Sequence, residues 1–288
     1  MFSVVIPLYN KELSIENTLQ SVLHQTYQQF EIVVINDGST DASVAKVEAF
    51  NDPRIRLIHK QNDGVSSARN RGICEAKYAW IAFLDADDLW MVNHLETIYQ
   101  AIQKHPSESV FSNSYIRSDE TFPENKDETI SVIHDYFTET LKKPFFWTSI
   151  ACIHQKVFKE VGLFNEELTS GEDLNLWTRI ARKYNFVKSH KITAIYRVEA
   201  ENRSDLSFNM LKNHAYHYDF KEATSPSEIF YYRKHIGRAI KQFLLEKDFN
   251  NFYLLLKKHR HNIRFSDIFA LITKNVKNKI IYKQALAD

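Results

Sequence analysis

Tyr78-Ala79-Trp80-Ile81-Ala82-Phe83-Leu84-Asp85-Ala86-Asp87-Asp88 decides how this chain is read. Tyr78–Leu84 is apolar without alternation, the mark of a strand covered on both faces, as in a parallel sheet between helices. Three carboxylates within four residues then close it. Like charges at that spacing repel and raise one another's pKa unless a cation or hydrogen-bond donors offset them. Hard oxygen ligands on a short spacer suit Mg²⁺ or Mn²⁺, which take one or two protein carboxylates and leave positions for phosphate oxygens. The plainer alternative is a solvated turn in which Asp88 caps the next helix.

Outward from this stretch, apolar runs alternate with helical patterns. Strands are predicted at Phe2–Leu8, Glu31–Ile35, Arg54–His59 and Tyr78–Leu84, and helices at Glu12–His24, Asp41–Phe50, Ser66–Ala76 and Val92–Lys104. This β-α succession implies an α/β fold with parallel strands and right-handed crossovers. Ligands then gather beyond the carboxyl ends of the strands. Tyr9-Asn10, Asp37-Gly38-Ser39 and Asp85–Asp88 all fall on that edge. Further on, Ser109–Ile116, Thr148–Ile153 and Lys191–Val198 read as strands, Gln155–Val161 and Asp173–Tyr184 as helices, and Glu120–Asp135 as a polar loop. From about residue 209 the pattern is helical throughout, with three amphipathic helices, the last over Ile268 to Ile281.

The 288 residues fit one large α/β domain with an appendage, and 44% hydrophobic content excludes global disorder. Cys74 and Cys152, the only cysteines, make neither a disulfide framework nor a zinc spacing, and a reducing cytosol is their simplest home. Met1–Pro7 has no basic leader and reads as a first strand, and no window of 18 apolar residues exists to span a membrane. The net charge of +1 hides a split. Residues 209–288 carry 15 Lys and Arg against 7 Asp and Glu, whereas residues 1–208 carry 22 against 29. Two regions are therefore expected, 1–208 catalytic and 209–288 basic and helical.

Three elements carry candidate chemistry. The Asp37 carboxylate, on a strand-to-helix turn, can accept the N–H groups of a uracil or guanine. Tyr9 can stack on that base. Each has an ordinary alternative, an Asx turn and a strand-end aromatic. Lys60–Gly72 is a Gly-containing loop running into a helix, with Ser66 as its N-cap and Arg69 in the first turn, where an anion such as a diphosphate is favoured. Gly171-Glu172-Asp173 puts two adjacent carboxylates at a helix start. They raise each other's pKa, and their divergent directions leave only one as a general base.

Val5-Ile6-Pro7-Leu8-Tyr9-Asn10, Asn36-Asp37-Gly38-Ser39, Asn62–Gly72, Leu84–Asp88 and Gly171-Glu172-Asp173 together resemble the ordered signature of family 2 glycosyltransferases over roughly residues 1–200. The resemblance implies a GT-A fold, Rossmann-like and mostly parallel with flanking helices, a nucleotide-sugar donor, Mn²⁺ or Mg²⁺, and inversion. By position it assigns Pro7, Tyr9, Asn10, Asp37, Asn62, Arg69, Asp85 and Ala86 to the nucleotide sugar, Asp87 and Asp85 to the metal, and Asp173 to the base with Glu172 beside it. UDP is the favoured nucleotide, with GDP and dTDP open. The segment Ile195–Ser204 departs from the pattern. Many relatives have a histidine after the arginine, and this chain has Glu199 and Glu201, so no third metal ligand is assigned. Arg197 or Arg203 is a candidate diphosphate clamp, and Phe145, Phe146, Trp147 and Thr148 are candidate donor-pocket residues.

The other nucleotide-fold readings fail on the first turn: no Gly-x-Gly-x-x-Gly follows strand one, and no phosphate-loop Gly-Lys exists. A glycosidase would use paired carboxylates but not the Asp-Gly-Ser and Arg69 elements. The basic region either rests on an anionic membrane, suiting a lipid-linked saccharide acceptor, or caps the catalytic domain or a second subunit. It carries no nucleic-acid motif. A surface polysaccharide or lipopolysaccharide enzyme, cytoplasmic at the inner membrane face, is the resulting expectation. The alternative is a catalytically degenerate binding module acting through its helices.

Overall fold

The computed structural model describes residues 1–123, 127–201 and 209–264. Strands β1 (Phe2–Leu8), β2 (Phe30–Asp37), β3 (Ile55–Lys60) and β4 (Trp80–Phe83) alternate with helices α1 (Ile15–Leu23), α2 (Ser43–Glu48) and α3 (Val65–Glu75). Then come β5 (Leu89–Trp90), α4 (His94–Lys104), β6 (Val110–Arg117), β7 (Ile130–Ile133), α5 (Tyr136–Lys142) and β8 (Ala151–His154). Helix α6 (Gln155–Val161), α7 (Glu172–Ala181), β9 (Phe186–Tyr196), α8 (Pro226–Glu246) and α9 (Phe249–His259) follow. The backbone forms two compact units, Met1–Glu167 with Glu172–Leu206, and Leu168–Gly171 with Ser207–Asp288.

The first unit is built on a sheet of order β3-β2-β1-β4-β8-β6-β9-β5, with β7 beside β9. Strands β3, β2, β1 and β4 are parallel, with Val5 facing Val33 on one side and Phe83 on the other. The chain moves outward from β1 to β3 and then returns to β4 on the opposite flank of β1. That reversal opens a crevice beyond the carboxyl ends of β1 and β4, the usual ligand position in such sheets.

Period-two alternation sorts the side chains. Val4, Ile6 and Leu8 of β1 pack with Ile15, Leu19 and Val22 of α1 and Leu95 and Ile98 of α4. Val33 and Ile35 of β2 face the other way, onto Ala68 of α3. A Cβ on Gly72 would stand 2.2 Å from Val5 Cγ1, so α3 lies against β1 more closely than any larger residue permits. This close seating brings Arg69, one turn earlier, under the strand ends.

Several boundaries differ from expectation. Helix α1 starts at Ile15 because Lys11–Ser14 form a turn, with Lys11 O accepting from Ser14 N and Ile15 N. Gly64, not Ser66, precedes α3, and Ser66 Oγ is buried. The predicted loop Glu120–Asp135 contains β7, whose Ile130 and Val132 pack on the core opposite β9. Strand β9 begins five residues before the predicted Lys191, its apolar pattern masked by Lys188, Ser189 and His190. Thr148–Ile150 is a 3₁₀ turn, and the strand follows it at Ala151.

In the second unit, Tyr232, Ile236, Ile240 and Phe243 form the buried stripe of α8. Ser225 Oγ accepts from Glu228 N, and Pro226 takes the first turn, where its missing N–H costs nothing. The predicted continuous helicity from 209 is corrected to 3₁₀ turns at Met210–Lys212 and His214–His217 followed by irregular chain before α8. The predicted third helix, Ile268 to Ile281, lies outside the described residues. Among the described residues, no helix is long and apolar enough to cross a membrane.

Candidate active site

The strand-end crevice of the first unit is a cleft of about 590 Å³. Pro7, Tyr9, Asp37, Asn62, Arg69, Asp85, Ala86, Asp87, Glu172 and Asp173 all line it. Asn10 is the exception among the assigned residues. It adopts φ +48°, its side-chain oxygen accepts from Thr40 N at 2.8 Å, and its N–H donates to Ser39 Oγ at 3.1 Å. Asn10 therefore shapes the loop that presents Tyr9, which is 41% exposed at the cleft.

Asp37 ends β2 and is buried. Its Oδ1 accepts from Lys60 Nζ at 2.5 Å and Asp63 N at 3.1 Å, and its Oδ2 from Gly64 N at 2.9 Å. The carboxylate thus folds the 60–64 loop toward the cleft as well as facing it.

Arg69 differs most from its expected role. It lies one turn inside α3, buried, and reaches carboxylates rather than the helix start. Nη2 donates to Asp85 Oδ1 at 2.8 Å and Nη1 to Glu172 Oε1 at 2.9 Å, with the guanidinium 5.4 Å over the Phe164 ring. Burial disfavours its charge, but Asp85 and Glu172 outweigh that and hold its pKa above the usual arginine value. One buried cation thereby ties the acidic turn after β4 to the first turn of α7.

The acids divide by environment. Asp88 is 1% exposed, and Oδ2 accepts from Ser149 Oγ at 2.6 Å while Oδ1 accepts from Arg197 N at 3.1 Å. Burial, then Asp85 and Asp87, push its pKa up to about 8. It is an internal brace, not a helix cap; Asn93 precedes α4. Asp87 is raised by burial and by Asp85, with Lys11 acting against both from 2.7 Å. Glu172 is engaged by Arg69, whereas Asp173 accepts from Leu174 N at 2.7 Å. Burial and Glu172 push Asp173 up to about 6. A carboxyl group at about 6 has a pKa suited to a general base near neutrality.

Two carboxylates crowded at one strand end, with Asp87 raised in pKa by burial and by Asp85, fit a divalent cation. Asp85 and Asp87 are the residues that could hold one, since Mg²⁺ and Mn²⁺ sites that also take phosphate oxygens need only one or two protein carboxylates. Among the described residues, no third His, Cys, Asp or Glu completes a metal-binding group with them.

Trp147 and Thr148 line the cleft, whereas Phe145 and Phe146 are buried with Tyr136, Trp177 and Phe186. Arg197 is turned to Glu199 at 3.1 Å and Ser14 at 3.3 Å, and Arg203 lies outside the described residues. Glu201 accepts from Leu13 N and Ser14 Oγ at the start of α1. Sequence reasoning missed Lys11, Ser149 and Tyr196. Lys11 carried a readable signal, a cation directly after Tyr9-Asn10. Ser149 and Tyr196 carried none.

The comparisons agree with this architecture. A family model described as Glycosyl transferase family 2 matches residues 3–162. An uncharacterized glycosyltransferase of Rickettsia bellii is 34% identical over 226 residues, 72% of this chain and 30% of that protein. Glycosyltransferase GlyG of Streptococcus pneumoniae is 39% identical over 118 residues, 40% of this chain and 39% of its own length. The matches thus span well under half the length of these relatives. Structures of S. aureus TarS 1-349 with UDP and with UDP-GlcNAc align with TM-scores of 0.59 and 0.58 at 18% identity. The alignments cover 90% and 92% of this chain and 91% and 93% of theirs. The mostly parallel sheet between helices is the expected GT-A-like fold.

Proposed function

The chain belongs to glycosyltransferase family 2, and on that premise we propose that it transfers a sugar from a UDP-linked donor to a saccharide or lipid-linked saccharide hydroxyl, with inversion. One observation carries the reading: a single cleft gathers Asp37, Arg69, Asp85, Asp87 and Asp173. Tyr9 stacks on the base at the rim, and Asp37 accepts its N–H. Arg69 holds the Asp85 and Glu172 side chains in place. Asp85 and Asp87 would hold Mn²⁺ or Mg²⁺, which when bound offsets charge on the diphosphate leaving group. Asp173 takes the proton from the acceptor hydroxyl as its oxygen attacks the sugar face opposite the nucleotide. A single displacement needs no nucleophilic side chain and inverts the anomeric carbon.

Nucleoside diphosphate release from a panel of UDP-, GDP- and dTDP-sugars tests this, with Mn²⁺, Mg²⁺ or EDTA. Turnover of one UDP-sugar, lost in Asp87→Asn and Asp173→Asn and in EDTA, supports it. Binding of UDP without turnover of any donor, across a set of saccharide acceptors, would favour the degenerate binding module instead. The same reading places the enzyme in surface polysaccharide or lipopolysaccharide synthesis, at the cytoplasmic membrane face, with the basic C-terminal region against anionic lipid. Equal sedimentation with anionic and neutral vesicles would remove that last element.

A further inference from the structure

Within the first unit, the sheet edge that carries the acids continues into three aromatic rings. Strand β8 runs antiparallel to β4 and β6, so its start lies at the carboxyl end of both, and β9 runs parallel to β6. Trp147 in the turn leading into β8, Tyr115 near the end of β6 and Tyr196 at the end of β9 therefore share the edge of Tyr9, Asp37 and Asp85. In the sheet order, Asp37 stands two strands before Asp85 and Tyr196 three strands beyond it, each strand adding ~4.8 Å. A nucleotide with its base at Asp37 and its diphosphate at Asp85 points its sugar toward these rings.

The rings touch one another. Trp147 lies 4.8 Å from Tyr115 and 4.7 Å from Tyr196 between centroids. Tyr115 lies opposite Ala194, two residues before Tyr196, so both tyrosines project from one face of the sheet. The segment around the indole is moored on both sides. Phe146 packs edge-on against Trp177 at 4.8 Å, one turn beyond Asp173 in α7. Ser149 Oγ donates to Asp88 Oδ2 and accepts from Asp85 N. Trp147 is thus fixed between the acidic turn and the helix that carries Asp173. Phe145 and Phe146 are buried, whereas Trp147, Tyr115 and Tyr196 are half-buried. Trp147 and Tyr196 line the cleft, and Tyr115 lines a second groove of about 500 Å³ with Asp119, Glu120 and Lys143.

A pyranose ring carries C–H groups on one face and hydroxyls around its rim. The C–H face is apolar and meets the negative face of an aromatic ring, while the rim takes hydrogen bonds from a few polar groups. Rings flanked by carboxylates and an ammonium match that division. Resting on the reading of the chain as a transferase with a UDP-linked donor, we propose that Trp147 and Tyr196 form the platform on which the acceptor saccharide stacks. Tyr115 continues the platform into the second groove, so the acceptor is an oligosaccharide that presents at least two rings. The ring on Trp147 offers its hydroxyl to Asp173, and the next ring lies over Tyr115.

Saturation-transfer NMR tests this, with glucose, cellobiose and cellotriose and the matching galactose and N-acetylglucosamine series titrated onto the enzyme carrying UDP and Mg²⁺. The wild type should bind the three-ring member of one series at least about fivefold more tightly than its single ring. Trp147→Ala should weaken that binding about ten- to a hundredfold, with the Kd for UDP within about twofold of wild type. Trp147→Phe keeps a flat ring and should recover most of the affinity. Tyr115→Ala should spare the single ring and abolish the preference for length. No saccharide binding in the wild type, or equal binding in Trp147→Ala, overturns the proposal. A loss confined to UDP, with saccharide binding intact, overturns it too. Binding is read without turnover, so a wild type that binds saccharide through Trp147 yet releases UDP from no donor would overturn the transferase reading alone. If Trp147→Ala does not fold, Tyr196→Leu removes the partner ring, and unchanged saccharide binding there overturns the proposal equally.

Discussion

Arg69→Met removes the cation that bridges Asp85 and Glu172 at 2.8 and 2.9 Å. The arginine side chain is 5% exposed, so water screens it little. At an effective dielectric constant of 20, unit charges 4 Å apart attract by about 4 kcal/mol. The variant recovers the desolvation cost of the guanidinium but leaves its partners uncompensated, and breaking a buried pair in this way costs about 3–5 kcal/mol. Asp85 and Glu172 keep 24% and 15% of their side-chain exposure, which favours the lower end. The sign with pH follows from the carboxylates. Asp173 is already raised to about 6 by burial and Glu172, with Arg69 acting against both, so losing Arg69 raises it further. A carboxylate whose folded pKa exceeds its unfolded value destabilises the fold above that pKa, and the penalty fades as pH falls toward about 4. The loss should thus be largest at pH 8 and smaller at pH 5. Urea unfolding followed by tryptophan fluorescence reports on the first unit, since Trp80, Trp90, Trp147 and Trp177 all lie there. With an m-value of about 2 kcal/mol/M, the pH 8 midpoint should drop by about 1.5 M. Arg69→Lys keeps the charge but not the fork, and should fall between the two. An unchanged midpoint at pH 8 refutes the argument; an equal loss at both pH values assigns Arg69 to packing instead.

Asp173→Asn should lower kcat by about 10²–10⁴-fold, the usual contribution of a general base. Because the base works unprotonated, wild-type kcat should rise through about pH 6 and level off above it; a rate that declines between pH 5 and 7 would contradict this. Asp88→Asn relieves the crowding of charge and retains hydrogen-bonding atoms, so its melting temperature should stay near or above wild type. Asp88→Ala takes the acceptor from the Ser149 hydroxyl, which keeps only its bond from Asp85 N, and from Arg197 N, and should cost about 1–3 kcal/mol for each buried donor left unpaired. Gly72→Ala should cost about 1–3 kcal/mol by overpacking against Val5, and Val5→Ala in the same chain should return part of that by chemical denaturation.

The strands of the first half were readable because burial on both faces leaves unbroken apolar runs, and β1 came out at its predicted bounds. Polar flanks defeated the same reasoning at β7 and at the start of β9. Their outward residues are as hydrophilic as a loop's, and pairing with a distant strand, rather than composition, makes them strands. Phe145 and Phe146, candidate pocket residues of the middle segment that periodicity does not place, turn into an aromatic cluster that no local pattern announces.

What the sequence by itself determined is the alternation of strands and helices and the placing of Tyr9, Asp37, Asp85 and Asp87 at one sheet edge. These follow from periodicities of two and 3.6 and from motifs that end strands, all of them local. Only the tertiary structure decided the partners. Arg69 meets Glu172 across 103 residues of chain, Asp88 meets Arg197 across 109, and Lys11 meets Asp87 across 76. Which carboxylate is clamped and which is buried as a brace depends on those encounters. Charge interactions act through space and burial, and neither is written in the order of residues.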